Sequence, residues 1–479
     1  MLFLFLNFLK LKTMKKLLLT FSLIALTSTI NAQWISQGTG FAATSRGLSQ
    51  VTALDANIVW ALAYDGSGLG ENIQEFTRTT DGGSTWTAGT IDFGDTTLEI
   101  NNISPVSATT AWASAIINIG TPTAPDDNDG IGTIVKTTDG GVSWTPQLTN
   151  GFQTVGSSFL NGVYFWNENV GVAYGDPEGT EYEIWRTTDG GANWTRVSGN
   201  KIDNPLLGEY GYNSTPIAAG GTLWFPTNKG RLFRTTDQGV TWTAAQVTGL
   251  ADFSGIDATT GNGTRADAYF SDANTGLLLK TVIGGTTTTH TYTRTFRTTS
   301  NGGSTWGASA TFTGTRFILN YIPGTTNIVA TSQSAPVGTS ISNNNGATWT
   351  NLEPAGIDQR GASSFINAST GWCAGFSDGD PLGTVGIFKL SGPLGIDNAL
   401  TSAKFKVYPN PATSNVTIGA TLDVDSFNLT VTDLTGKIVM TKSLNGIENT
   451  VDISNLSIGA YFFELSSNNK KEVVKILKN

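Results

Sequence analysis

From Gln33 to about Gly392 the apolar residues fall in short runs, and the runs come in pairs broken by Gly, Thr and Asn. Runs this short between turn-forming residues predict strands rather than helices. The second run of each pair aligns seven times: Asn57 to Tyr64, Thr110 to Ile117, Val170 to Gly175, Gly221 to Pro226, Thr275 to Lys280, Asn327 to Ser332 and Gly371 to Phe376. Six of the pairs are followed by a box of one design, written Thr79-Thr80-Asp81-Gly82-Gly83-Ser84-Thr85-Trp86 in its first copy. The others centre on Asp139 and Trp144, Asp189 and Trp194, Asp237 and Trp242, and, with Asn in place of Asp, on Asn301 and Trp306 and on Asn344 and Trp349. An Asp or Asn side chain can bond backbone N–H groups one or two residues on, and the glycines supply the positive φ of a tight turn. Each box therefore predicts a hairpin corner, with its Trp opening the returning strand and wedging between neighbouring sheets. A turn of this kind holds structure and carries no chemistry of its own.

The box tryptophans stand 43 to 64 residues apart, which suits one four-stranded sheet per unit. Seven units with six boxes leave one outer strand missing. Trp34-Ile35-Ser36-Gln37 copies the pattern of Trp194-Thr195-Arg196-Val197, and the seventh unit ends at Gly386-Ile387-Phe388-Lys389-Leu390 without a Trp strand. The start of the chain should pair with that end and close a ring, which removes free sheet edges. The expected architecture is all-β: a seven-bladed β-propeller over residues 33–392, a linker at 393–403, and a small Ig-like β-sandwich at 404–479. In that last stretch, runs such as Leu429-Thr430-Val431-Thr432-Asp433 alternate with period two.

Composition narrows the chemistry. The chain has 479 residues, 57 Gly, 13 Trp, 14% charged residues, one Cys and one His. A single Cys373 rules out an internal disulfide framework, and a lone His290 speaks against a His-based zinc site or triad. Cys373 lies in the apolar run Gly371-Trp372-Cys373-Ala374-Gly375 and reads as a buried strand residue, while His290 falls in a Thr-rich stretch expected to be an exposed loop. Residues 33–403 hold 16 basic against 30 acidic side chains, a net of −14, which argues against nucleic acid as a partner. Lys15-Lys16, the apolar run Leu17 to Leu26 and the small-residue end before Gln33 read as a secretory signal peptide over residues 1–32, with Met14 a natural start. No other segment approaches the length of a membrane-spanning helix.

The box resembles the Asp-box, or BNR, repeat of sialidases, sortilin-type receptors and xyloglucanases. Ser45-Arg46-Gly47-Leu48-Ser49, Gly175-Asp176-Pro177 and Thr227-Asn228-Lys229-Gly230-Arg231 make the larger pattern similar to photosystem II stability/assembly factor-like propellers. The tail opens with Phe405-Lys406-Val407-Tyr408-Pro409-Asn410-Pro411, passes Gly459-Ala460-Tyr461 and ends in a basic-apolar strand. It resembles the type A C-terminal sorting domain of the type IX secretion system. That resemblance implies export through the periplasm by the type IX machinery acting on residues 404–479, then cleavage of the tail and either release or attachment to surface lipopolysaccharide.

Candidate ligand residues should lie on the face shared by the loops entering each innermost strand and those joining second to third strands, since the boxes fall on the other face. Arg46, Arg265, Arg316 and Arg360 stand just ahead of predicted innermost strands, and converging guanidinium forks suit carboxylate or phosphate. The second-to-third-strand loops are acidic: Asp126-Asp127-Asn128-Asp129-Gly130, Asp176-Pro177-Glu178 with Glu181 and Glu183, and Asp378-Gly379-Asp380. Their oxygens could hold Ca²⁺, although Pro125 stands where a calcium loop has its leading Asp. No other cofactor is implied. A sialidase would need an Arg-Ile/Leu-Pro segment that is absent, and Glu209-Tyr210, as adjacent strand residues, would point to opposite faces. The expected function is binding of a protein or glycan partner. A glycoside hydrolase of sialidase or xyloglucanase type is the alternative, and an assembly helper follows from resemblance alone.

Overall fold

The computed structural model describes residues 34–117, 131–154, 159–352, 358–377, 386–392, 405–420, 426–446, 448–467 and 470–479. The proposed signal peptide, the linker, and the acidic stretches at 126–130 and 378–380 lie outside the described residues. The chain divides into two compact units, one ending at Ile396 and the other running from Asp397 to Asn479.

In the first unit the described strands form seven sheets, each an antiparallel meander from an inner to an outer strand. The inner strands are Arg46–Ala53, Glu99–Pro105, Leu160–Phe165, Ile217–Ala219, Gly263–Phe270, Ile318–Tyr321 and Ser363–Asn367. Trp34–Gly38 is the outer strand of the seventh sheet and pairs Trp34 with Leu390 through Gly38 with Gly386, the pairing that the sequence pattern predicts. Seven apolar clusters fill the gaps between successive sheets. Leu48 and Val51 of the first sheet pack with Trp372 and Ile387 of the seventh, so the series of gaps returns to its start. This is a β-propeller. Large aromatics carry the packing: Trp112 stacks on Phe165 at 3.5 Å and Trp224 on Phe270 at 3.9 Å, each pair joining two sheets.

The boxes are the corners between third and outer strands, with a hydrogen-bond scheme that differs in detail from the expected one. Asp81 reaches four residues on, accepting from Thr85 N at 2.9 Å and Thr85 Oγ1 at 2.6 Å. The nearer N–H, that of Gly83, goes at 2.8 Å to the Thr79 hydroxyl ahead of the Asp. Gly82 and Gly83 have φ of 71° and 88°, the left-handed region a side chain would strain. In the fourth and sixth boxes Gln238 and Asn345 adopt φ of 56° at the first of these positions. Asn301 and Asn344 reproduce the aspartate's bonds, with Asn301 Oδ1 accepting from Thr305 N at 3.0 Å and its Nδ2 donating to Thr305 Oγ1 at 2.8 Å. The indole of Trp86 donates to Gln37 and that of Trp349 to Gly346 O. Those of Trp144, Trp194, Trp242 and Trp306 meet no acceptor among the described residues, and ring contacts with Phe76, Phe165, Tyr174 and Phe270 hold them.

The second unit contains a three-stranded sheet (Phe405–Tyr408, Asn415–Ala420, Glu448–Asp452) and a four-stranded one (Ile438–Asn445, Ser426–Thr432, Gly459–Ser467, Lys470–Lys478) around a shared core that includes Val416, Leu429 and Phe463. The Tyr-Pro-Asn-Pro opening has a docking role. Asn410 donates to Lys475 O and accepts from Leu477 N, pinning the turn to the last strand.

Candidate functional site

The seven inner strands surround one cavity of about 900 Å³, and every sheet contributes to its wall. The inner ring is held by side-chain amides that act like strand partners. Gln50 donates to Ile103 O at 2.7 Å and accepts from Ile103 N at 3.1 Å, joining the first sheet to the second. Asn102 repeats this one sheet on, donating to Val163 O at 2.8 Å and accepting from Val163 N at 3.0 Å. Both sit just past a bulge in the inner strand, which turns the amide across the gap. Asn320 makes a similar donation to Ser363 O between the sixth and seventh sheets. These amides were not singled out in the sequence reading. The signal is a lone Gln or Asn inside an otherwise apolar inner run.

Among the lining residues the charged ones are Arg265 and Asp267, which face each other at 3.1 Å. The wall is otherwise uncharged, with Tyr164, Tyr212, Ser214, Tyr269 and Asn320 offering hydroxyl, amide and ring surfaces. Such a lining can hydrogen-bond and stack against a ligand, the ordinary chemistry of recognition.

The four arginines do not converge. Only Arg265 lines the cavity, and its guanidinium is the most exposed of the four. Arg46 turns to Glu75 on the third strand of its own sheet, at 2.7 Å. Arg316, 1% exposed, is sunk among Val337 O, Ser340 and Asn351, and Arg360, 3% exposed, lies over the rings of Trp34 and Phe388 and donates to Thr339.

The acidic loop of the third sheet also disperses. Asp176 Oδ1 accepts from Asn161 Nδ2 and from Gly211 N, both at 2.8 Å, and burial pushes its carboxyl up to about 6. Glu178 pairs with Arg196 and accepts from Thr154, and those bonds hold its carboxyl below the usual range. Glu183 accepts from Phe152 N and the Trp185 indole. No cluster of three metal-ligating side chains occurs among the described residues. Glu209 is buried against Arg231 at 2.7 Å and Thr227 at 2.6 Å while Tyr210 is exposed, though the two lie in a loop and not in the strand expected. His290 is part of the strand Thr289–Thr299 rather than a loop, half-buried with its Nδ1 enclosed. Cys373 is buried in its strand.

A second feature missed in the sequence sits on the box face. The basic residue before four of the boxes donates to a carbonyl in the next box: Arg78 to Gly140 O, Lys136 to Gly190 O, Arg186 to Gln238 O and Arg234 to Asn301 O. Lys389 adds a fifth such link, donating to Gly82 O of the first box. The boxes are therefore sockets as well as corners.

Residues 406–479 match the family described as the secretion system C-terminal sorting domain, so the second unit is a sorting domain of the type IX secretion system and marks the chain for export to the cell surface or beyond. No helix among the described residues is long and apolar enough to cross a membrane. No curated protein matches the chain. Solved structures similar in shape include YCF48 from Cyanidioschyzon merolae (16% identity, TM-score 0.46, 75% of this chain and 99% of that one) and YCF48 bound to D1 peptide (14%, 0.45, 75% and 97%). PorZ, a surface component of the type IX secretion system of Porphyromonas gingivalis, is a third (13%, 0.29, 90% and 65%).

Proposed function

We propose that the chain is a type IX-exported binding module, in which a propeller over residues 33–392 holds a protein or glycan partner at the mouth of its central cavity. The arrangement behind this reading adds a cleaved signal at 1–32, a linker at 393–403 and a sorting tail at 404–479, after whose removal the propeller is released or attached to lipopolysaccharide. The observation that carries the binding role is the character of the cavity wall: about 900 Å³ of space lined by hydroxyls, amides and tyrosine rings with a single self-compensated ion pair. A hydrolase would draw on paired carboxyls about 5 to 9.5 Å apart across its substrate. Asp176 and Glu178 are instead engaged with Asn161, Gly211, Thr154 and Arg196, and neither lines the cavity.

The test is an array of glycans and peptides probed with the full chain, beside Ser214→Trp, which fills the mouth from an exposed loop, and a panel of chromogenic glycosides. Binding weakened about tenfold or more by Ser214→Trp, without glycoside turnover, supports the proposal. Turnover would make the chain a glycoside hydrolase instead.

A further inference from the structure

The fifth sheet carries a surface separate from the cavity. Its second and third strands, Gly276–Thr286 and Thr289–Thr299, run eleven residues each, whereas their counterparts in the other sheets take five to eight. Their pairing is unbroken out to Thr286 and Thr289, so the hairpin projects on the mouth side of the propeller. The outer strand, Ala310–Thr311, covers only Thr295 and Phe296, and Phe312 N adds one bond to Arg294 O at 3.0 Å. Since the Arg294 carbonyl points outward, strand alternation turns the main-chain groups of Tyr292 and His290 outward too. No strand meets them among the described residues. Thr289, Thr291, Tyr292 and Thr293 are exposed. An open edge is normally blunted by Pro, Lys or a bulge, and residues 289–293 have none of these.

The edge also carries charge of a definite sign. Arg294 lies between two rings, 4.0 Å from the centroid of Phe317 and 5.2 Å from that of Tyr292. It has no carboxylate within ion-pair distance among the described residues and is partly exposed. Arg294 is thus an uncompensated cation at the edge, inside a region whose net charge is −14.

We infer that this edge receives an extended acidic peptide as an added strand, the peptide's main chain pairing with His290 and Tyr292 and one of its carboxylates meeting Arg294. Main-chain bonds supply affinity in such additions, and alternate side chains supply selection. A guanidinium stacked on rings is already oriented for a two-bonded carboxylate contact.

The test uses the full chain and an array of extended octapeptides, neutral, basic and acidic, with a panel of neutral and anionic oligosaccharides as a second arm. Acidic peptides should bind, their Asn and Gln counterparts about tenfold or more weaker, and Arg294→Gln should erase that difference while leaving the thermal midpoint unchanged. N-methylation at alternate peptide amides should abolish binding at both proteins. Peptide binding indifferent to Arg294→Gln or to N-methylation overturns the inference, as does an array in which no acidic peptide binds or only oligosaccharides do. Binding of any ligand that Ser214→Trp blocks but Arg294→Gln does not would leave the cavity proposal standing while this one falls.

Discussion

Lys389 donates at 2.6 Å to the carbonyl of Gly82, 307 residues earlier, with its ammonium 5.6 Å from the ring centroid of Trp372. The contact joins the last sheet to the first box. Together with the pairing of Trp34–Gly38 against Gly386–Leu390 it closes the ring on both the box face and the rim. Lys389→Met keeps the length of the side chain and removes both the donor to Gly82 and the cation over Trp372. It should cost about 1 to 2 kcal/mol and lower the thermal midpoint by a few degrees, whereas Lys389→Arg should retain most of the stability.

The inner ring should be less forgiving. Asn102 is fully buried, and Asn102→Ala would leave Val163 N and O without their side-chain partner. Denaturant unfolding should register a loss of about 3 kcal/mol, well above that of an exposed Asn such as Asn213 replaced by Ala.

Box aspartates make the propeller acid-sensitive. Bonds from Thr85 and Thr79 hold the Asp81 carboxyl down at about 2, and Ser143 and Thr137 do the same for Asp139. A folded-state value below the unfolded one gives stability that is present above about pH 4 and is lost as pH falls toward 2. Asp81→Asn, which copies the natural fifth and sixth boxes, should therefore fold normally and narrow the gap between its midpoints at pH 5 and pH 2.5. Asp81→Ala should be destabilised at both pH values.

Asp176 has the opposite sign. Burial raises its carboxyl to about 6, so the folded chain binds a proton more readily than the unfolded one, and this group removes stability as pH rises from about 4 through 6. Asp176→Asn keeps an acceptor for Asn161 and Gly211 without the charge. Thermal scans should find it more stable than the parent at pH 8, by roughly 3 kcal/mol at most, and nearly equal to it near pH 4. A variant less stable than the parent at pH 8 would show that the ionised carboxylate is needed.

Much of the fold was legible because a repeat averages out local ambiguity. The seven second strands and the pairing of the first strand with the last of the ring followed from aligned apolar runs, and period-two alternation was enough for the strands of the second unit, whose sorting motifs lie in its Tyr-Pro-Asn-Pro opening and its tail. The candidate site was far less legible. Arg46, Arg316 and Arg360 occupy the expected places in the chain, yet their side chains fold inward to Glu75, Asn351 and Trp34, since position along a strand does not fix where a long flexible side chain ends. The links from Arg78 to Gly140 and from Gln50 to Ile103 span neighbouring sheets, and such contacts become visible only once the sheets are placed.

The central claim is that the mouth face binds and the box face only holds the ring together. The direct measurement is hydrogen exchange of the full chain, free and saturated with the strongest binder from the array. Slowed exchange at residues 212–219 and 263–270, with the boxes at 79–86 and 187–194 unchanged, is the predicted result. Slowing confined to the boxes would place the partner on the opposite face and contradict the account.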